Sequence, residues 1–243
     1  GTGTGKTTTQ AAMVGYRNRH TRGHIITIED PIEFVHDHIN CIVDQREVGV
    51  DTNSFENGLI NAMRQAPNLI QVGEIRESTT MRSALVFAET GHLCFATLHA
   101  ANTYQALERI IKLYPDGERE GLFMDLSLNI RAIVSQRLIP KTDGSGHVAA
   151  VEVLLSSPLI RDLIQKGEVD QLYETMERSS EDGMLTFDES LFQLHQKGLI
   201  STEDALRNAT SANNLRLKIE LEGKEAKDRK ELGSTFSDVQ LEN

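Results

Sequence analysis

The first eight residues, GTGTGKTT, carry the side chains best suited to phosphate chemistry. Glycines allow backbone N–H groups to turn toward a polyphosphate, Lys6 places a positive charge on its outer phosphates, and the Thr7 hydroxyl can bind magnesium. The helix predicted after this loop adds a dipole that favours the same anion. The sequence therefore predicts a nucleotide-phosphate site formed by Gly3, Thr4, Gly5, Lys6, Thr7 and Thr8.

The complete phosphate-loop pattern, G-x-x-x-x-G-K-[ST], has a glycine one position before Gly1 and follows a strand. We therefore expect the loop to be truncated here, with the first part of the nucleotide site upstream. A flexible glycine-rich terminus is the alternative that the loop alone leaves open.

Polar side chains follow three apolar runs that are predicted to be strands, at residues 25–28, 69–72 and 93–98. Each run is short and lacks polar alternation, as in strands buried on both faces of a parallel sheet. Glu29 follows the first run, Glu74 the second, and His99 the third. Ligands of parallel sheets bind outside the carboxyl ends of the strands, so we expect these three side chains near the phosphate loop.

Each of the three residues has a candidate role in phosphoryl transfer, which requires magnesium, charge neutralisation and an oriented water. Glu29 is predicted to be the general base or water positioner, and a structural cap at the strand end is the alternative. Glu74 is predicted to contact magnesium or its water, together with Thr7. His99 could sense the γ-phosphate. Arg76 could pair with Glu74 or with a phosphate, and a surface salt bridge is equally consistent with its position.

Helical patterns alternate with these strands and then dominate the chain, at residues 7–20, 55–66, 78–89, 103–113, 118–138, 158–166, 186–198 and from 201 onward, with one more strand ending near Leu155. The alternation predicts an α/β fold with a mostly parallel sheet. We place an ATPase core at residues 1–156 and a C-terminal helical subdomain at 157–221. Mixed charges without an apolar stripe predict a disordered tail at 222–243.

The composition of the chain argues against several classes of function. The formal net charge is −11 and the isoelectric point is near 5.2, which argues against a motor that grips nucleic acid along a basic face. Two cysteines, Cys41 and Cys94, are too few for a four-cysteine zinc site and are typical of a reducing cytoplasm. No apolar run reaches the length of about 18 residues that indicates a membrane-spanning helix.

Four motifs together resemble those of the secretion-ATPase superfamily: the loop GTGKT at 3–7, ITIEDPIE at 26–33, GEIR at 73–76 and TGHLCFATLH at 90–99. Within it, the sequence is similar to the type IV pilus retraction ATPase family of PilT and PilU. The stretch at 124–140 is more similar to PilU. The resemblance implies a RecA-like core, magnesium-dependent ATP hydrolysis and a hexameric ring. It also implies a preceding PAS-like domain that is missing here.

The resemblance also implies residue roles and partners. Glu29 corresponds to the catalytic glutamate, Glu74 to the Walker B residue and His99 to the second histidine of its box. The ring, or a mixed ring with a PilT-like ATPase, would act on a PilC-like platform protein at the cytoplasmic face of the inner membrane. Two departures leave the strength of retraction open: the first two positions of the helix at 158–165, and Glu77 in place of the usual aspartate.

Three other functions remain open from the sequence. A pilus-extension or type II secretion ATPase is disfavoured because such motors usually carry a four-cysteine zinc module. An auxiliary nucleotide-binding subunit that works beside a PilT-like motor fits the similarity to PilU. A RecA-like DNA translocase is disfavoured by the acidity of the chain and by the lack of a basic, aromatic-bearing groove.

Overall fold

A computed structural model of the chain describes residues 3–222. The chain divides into two compact units. Unit 1 runs through Gln136 and then from Glu152 to Met184, and unit 2 runs from Arg137 to Val151 and then from Leu185 onward. The functional division at residues 156 and 221 stays a prediction. The tail predicted to be disordered lies, apart from Glu222, outside the described residues.

A four-stranded sheet forms the centre of unit 1, with β1 at Gly23–Glu29, β2 at Cys41–Glu47, β3 at Leu69–Val72 and β4 at Leu93–Ala96. The strand order is β2-β1-β3-β4, and each neighbouring pair is parallel. The predicted α/β class and parallel sheet are confirmed. The carboxyl ends of β1, β3 and β4 therefore lie along one side of the sheet, which we call the carboxyl edge.

Helices cover both faces of this sheet: α1 at Lys6–His20, α2 at Phe55–Met63 and α3 at Ser78–Glu89. On one face, Val14 of α1 shares a buried cluster with Ile25 and Leu69. On the other face, Ile26 and Ile28 belong to a larger cluster that contains residues of α2 and α3, among them Leu59 and Phe87. Alternate residues of β1 are thus buried on opposite faces, which explains why its sequence is a continuous apolar run.

The long helix predicted at residues 118–138 is wrong. After α4 at Thr103–Lys112, the structure has α5 at Arg119–Asn129 and then a two-stranded sheet of β5 at Ala132–Pro140 and β6 at His147–Leu155. Ile130 already has extended backbone angles. The β-branched residues Ile133 and Val134 favour a strand, and β6 supplies the partner that a single-sequence pattern does not reveal.

Three of the helices after β6 begin within one residue of the predicted starts at 158, 186 and 201. In unit 1, α6 at Pro158–Lys166 is capped by the Ser157 hydroxyl and ends at Gly167, whose φ is 73°; α7 follows at Leu172–Arg178. In unit 2, α8 at Phe187–Gln196 and α9 at Thr202–Asn208 are capped by Thr186 and Ser201. Within residues 3–222, no helix is both long enough and apolar enough to cross a membrane.

Candidate nucleotide site

The phosphate loop lies at the start of α1, near the carboxyl edge. The helix ends at His20 and β1 begins at Gly23, so the chain reverses direction between them. Near that reversal, the Asn18 side chain accepts a hydrogen bond from the Cys41 N–H at 3.1 Å, at the start of β2. The 15 residues of α1 span about 22 Å and the 7 residues of β1 about 23 Å. The start of α1 therefore lies near the end of β1.

The loop has the backbone geometry that its glycines permit. Gly3 and Gly5 have φ values of +76° and +84°, which side chains of L-residues rarely adopt. The first bond within α1 runs from the Thr9 N–H to the Gly5 carbonyl at 3.0 Å. The N–H groups of residues 6–8 precede that bond, and the first turn of the helix contains no acidic residue. This is the arrangement that suits an anion at a helix N-terminus.

Glu29 is the last residue of β1, and its side chain is buried, with only 4% of the residue exposed. Its Oε1 atom accepts two hydrogen bonds, from the Thr27 hydroxyl at 2.7 Å and from the Gln45 amide at 3.1 Å. A buried carboxylate is costly unless it is hydrogen-bonded, and these two donors reduce that cost. The strand end therefore holds an ordered carboxylate at the carboxyl edge.

Sequence reasoning did not find Thr27 and Gln45. A signal existed for Thr27, because residues two apart in a strand face the same side of the sheet, and Thr27 interrupts an apolar run two residues before Glu29. For Gln45 the signal is the register of β1 and β2, which pairs it with Thr27 and which the sequence does not reveal. His36 is also close: burial lowers its pKa, and the negative charge of Glu29 partly offsets that effect.

Glu74, after the end of β3, lies within hydrogen-bond distance of two nitrogen-bearing side chains. Arg76 Nη2 is 2.8 Å from its Oε2 atom, and His99 Nε2 is 2.9 Å from its Oε1 atom. Burial raises the pKa of Glu74, but the hydrogen bond from Arg76 and the charge of a protonated His99 outweigh burial, so the pKa lies below its ordinary value. The structure thus brings together two of the predicted site residues, Glu74 and His99.

The segment that carries His99 is held at both ends. On the β3 side, the Ile75 N–H donates to the Thr97 carbonyl at 2.9 Å. On the α4 side, Arg109 Nη1 donates to the His99 carbonyl at 2.9 Å. The first N–H of α4, at Thr103, donates to the buried carboxylate of Glu152 at 2.6 Å. These contacts fix the backbone on which the His99 ring is mounted.

Gly73 connects the Glu29 and Glu74 segments. Its N–H donates to the Ile28 carbonyl at 2.8 Å. A Cβ atom at this position would lie 3.2 Å from that carbonyl oxygen and 3.3 Å from Glu29 Cα, which is tighter than ordinary contact. The close approach of the two backbones at the carboxyl edge therefore requires glycine.

This close approach yields a prediction. Gly73→Ala is expected to lower the free energy of unfolding by about 1–3 kcal/mol, because the neighbouring atoms belong to the backbone and cannot move aside cheaply. It should also displace the Glu29 carboxylate, since Glu29 shifts with its backbone. Thermal unfolding measures the first effect, and a crystal structure of the variant shows the second. Gly121→Ala is the control, because a Cβ there meets open space; equal behaviour of the two variants would contradict the prediction.

The family resemblance makes Arg46 a candidate for an arginine that reaches the phosphates of a neighbouring subunit, and in this structure its side chain is engaged elsewhere. Its Nη2 atom donates to Gln65 Oε1 at 2.7 Å on the surface of unit 1. Within residues 3–222, Arg46 makes no hydrogen bond or ion pair with Glu29, Glu74 or His99. A role for Arg46 across a subunit boundary stays a prediction.

The parallel sheet, the phosphate-loop sequence at the start of α1 and the polar residues of the carboxyl edge define a RecA-like α/β nucleotide-binding core. The family model described as type II/IV secretion system protein matches residues 1–176. The chain belongs to this family.

Relatives within the family include type IV pilus motors. The chain is 57% identical to the type IV pilus ATPase PilU of Pseudomonas aeruginosa, over 99% of this chain and 63% of the relative. It is 44% identical to the type IV pilus retraction ATPase PilT of the same organism, over 88% of this chain and 62% of the relative. A crystal structure of the pilus retraction motor PilT with bound ADP matches with a TM-score of 0.82 and 42% identity, over 88% of this chain and 61% of that one. The chain thus spans less than two thirds of the length of these proteins.

Proposed function

We propose that this protein is an ATP-hydrolysing motor subunit that drives retraction of type IV pili, with Mg-ATP hydrolysis coupled to pilus disassembly. The observation that carries the proposal is the contact of Glu74 with His99 at the carboxyl edge, where Gly73 also approaches the backbone of Glu29. The identity to PilU and PilT, and the ADP in the PilT crystal structure, support nucleotide chemistry at this site.

Each residue then has a role that its surroundings support. Residues 3–8 bind the phosphates through backbone N–H groups and the Lys6 ammonium. Glu29 orients the attacking water and accepts its proton. His99 and Arg76 hold the Glu74 carboxylate in place through the contacts at 2.9 and 2.8 Å. His99 is also the side chain of this set that could respond to the γ-phosphate.

Thr7 and Glu74 would hold magnesium. A hydroxyl and a partly buried carboxylate fit this ion, because magnesium takes oxygen ligands and is usually held by one or two carboxylates together with substrate phosphates and water. When bound, magnesium would neutralise charge that develops on the transferred phosphoryl group.

By analogy with its relatives, the protein would act as a hexamer or in a mixed ring with a PilT-like ATPase. It would work on a PilC-like platform protein at the cytoplasmic face of the inner membrane. A second candidate function, an auxiliary nucleotide-binding subunit of such a ring, is favoured by the higher identity to PilU than to PilT.

The deciding experiment is magnesium-dependent ATP turnover by the purified protein, measured beside its nucleotide affinity. Turnover that requires magnesium is expected for the motor. Tight nucleotide binding without turnover, which a PilT-like ATPase restores when the two proteins are mixed, would favour the auxiliary subunit. Absence of both binding and turnover would contradict both functions.

A further inference from the structure

Two buried glutamines, Gln10 on α1 and Gln71 on β3, each carry a polar atom without a hydrogen-bond partner. Only 7% of Gln10 and 3% of Gln71 is exposed. In the part of the chain that the structure describes, Nε2 of Gln10 and Oε1 of Gln71 are sealed from solvent and have no hydrogen-bond partner. The first atom is a donor and the second an acceptor. Because a buried polar atom without a partner is costly, one shared partner would stabilise both.

The packing of α1 places Gln10 at the level of Gln71 along the sheet. The buried residues of α1 are Gln10, Val14 and Asn18, a single stripe at helical spacing. Val14 shares a buried cluster with Leu69 of β3. Gln71 faces the same side of the sheet as Leu69, two residues earlier, and lies about 7 Å further along the strand. Gln10 lies about 6 Å from Val14 in the same direction, because α1 runs opposite to the strands.

The sideways position of α1 also brings its first turns over β3. Near the start of the helix, Met13 on the neighbouring stripe lines a cavity with Leu93 and Phe95 of β4. At the other end, Asn18 accepts a hydrogen bond from the first residue of β2. Helix α1 therefore crosses the sheet from β2 toward β4. Since β3 lies between β1 and β4, the buried stripe near the start of the helix packs against β3.

Thr27 adds a third polar atom at this level. It pairs with Gln71 in the register of β1 and β3, and it is completely buried. Its hydroxyl hydrogen is donated to Glu29, which leaves the oxygen able to accept a bond. A water at this place would accept from Gln10 Nε2 and donate to Gln71 Oε1 and Thr27 Oγ1. Three hydrogen bonds are the usual number for a buried water in a protein.

We propose that Gln10, Gln71 and Thr27 bind one buried water, and that this water links α1 to the central sheet behind the nucleotide site. Lys6 lies one helical turn before Gln10, and Glu74 follows Gln71 by three residues. The link therefore fixes the spacing between the phosphate loop and the end of β3. Its effect on nucleotide binding rests on the proposed function, whereas the presence of the water does not.

The first test is a double-variant comparison of melting temperatures in the purified protein without nucleotide. Gln10→Met and Gln71→Met each remove one amide and leave the polar atom of the other with an incomplete set of partners. Each single variant is expected to lower the melting temperature by about 4–8 °C. The double variant removes both amides and should melt at or above the temperature of either single variant. Losses that add in the double variant would overturn the inference.

Gln165→Met is the matched control, because Gln165 is exposed on α6. The same chemical change there should leave the melting temperature nearly unaltered. Combined with Gln71→Met, it should give the simple sum of the two single effects. A loss for Gln165→Met as large as that for Gln71→Met would overturn the inference, since the loss would then come from methionine itself rather than from a broken link.

A high-resolution crystal structure of the unaltered protein tests the water directly and does not depend on a variant that folds. One ordered water is expected within about 3.2 Å of both Gln10 Nε2 and Gln71 Oε1. If the two amides are bonded directly to each other, or if each is bonded to another protein group, the inference is wrong.

Nucleotide binding separates this inference from the proposed function. The rise in melting temperature caused by Mg-ATP should be smaller in each single variant than in the unaltered protein, and the double variant should recover it. An equal rise in all four proteins would overturn the connection between the link and the nucleotide site. If Mg-ATP causes no rise even in the unaltered protein, the proposed function fails, and the comparison without nucleotide still decides whether the link exists.

Discussion

Glu29→Gln is expected to lower kcat for ATP hydrolysis by about 100-fold or more, while nucleotide affinity changes little. The hydrogen bonds around Glu29 explain why the substitution should lower the rate of the chemical step without weakening nucleotide binding. Thr27 and Gln45 both donate to Oε1, so the amide oxygen of glutamine can occupy that position and keep both bonds. The amide nitrogen then replaces Oε2 and cannot accept a proton. Steady-state turnover and equilibrium nucleotide binding measure the two quantities.

Glu33→Gln is the matched control for this substitution. Glu33 belongs to the same acidic motif but is exposed. The same chemical change there should leave kcat near that of the unaltered protein. If both glutamine variants turn over ATP equally well, Glu29 is not the base, and its burial at the end of β1 is only structural.

The elements around Glu29 were predictable because each leaves a local signal. Strands β1 and β3 are short apolar runs because helices bury both faces of the sheet there. The run at β4 also predicted a strand correctly, but its residues are exposed or half-buried, so the expected burial on both faces is wrong for β4. The polar residues that follow them could be assigned to one edge without knowing the strand order. The predicted helix starts at 186 and 201 depend on equally local contacts, since the side chains of Thr186 and Ser201 each accept a hydrogen bond from an N–H three residues later.

The features that were predicted wrongly, or were not predicted, depend on contacts between distant parts of the chain. The stretch at 130–138 has apolar residues at helical spacing, and its pairing with β6 decides that it is a strand. Gln45 reaches Glu29 only because β2 pairs in parallel with β1 at a particular register. The contact between Glu74 and His99 needs both the order of β3 and β4 and the loop that Arg109 holds.

Lys6→Ala is expected to weaken ATP binding and to lower turnover by about 100-fold or more, because it removes the positive charge nearest the outer phosphates. The fold should survive. Lys6 is the first residue of α1, and alanine has the highest helix propensity. Nucleotide titration and turnover at saturating ATP separate the loss of affinity from the loss of rate. Lys197→Ala, at an exposed position at the end of α8, removes the same charge and should change neither.

The two substitutions divide the site into a binding part and a chemical part. Lys6→Ala should lower affinity and rate together, since the lysine contacts the phosphates both before and during transfer. Glu29→Gln should lower rate alone, since its free oxygen acts on the water rather than on the nucleotide. A protein in which Lys6→Ala keeps full affinity and turnover would not bind nucleotide through residues 3–8, and the loop would then be the flexible glycine-rich segment that its composition also permits.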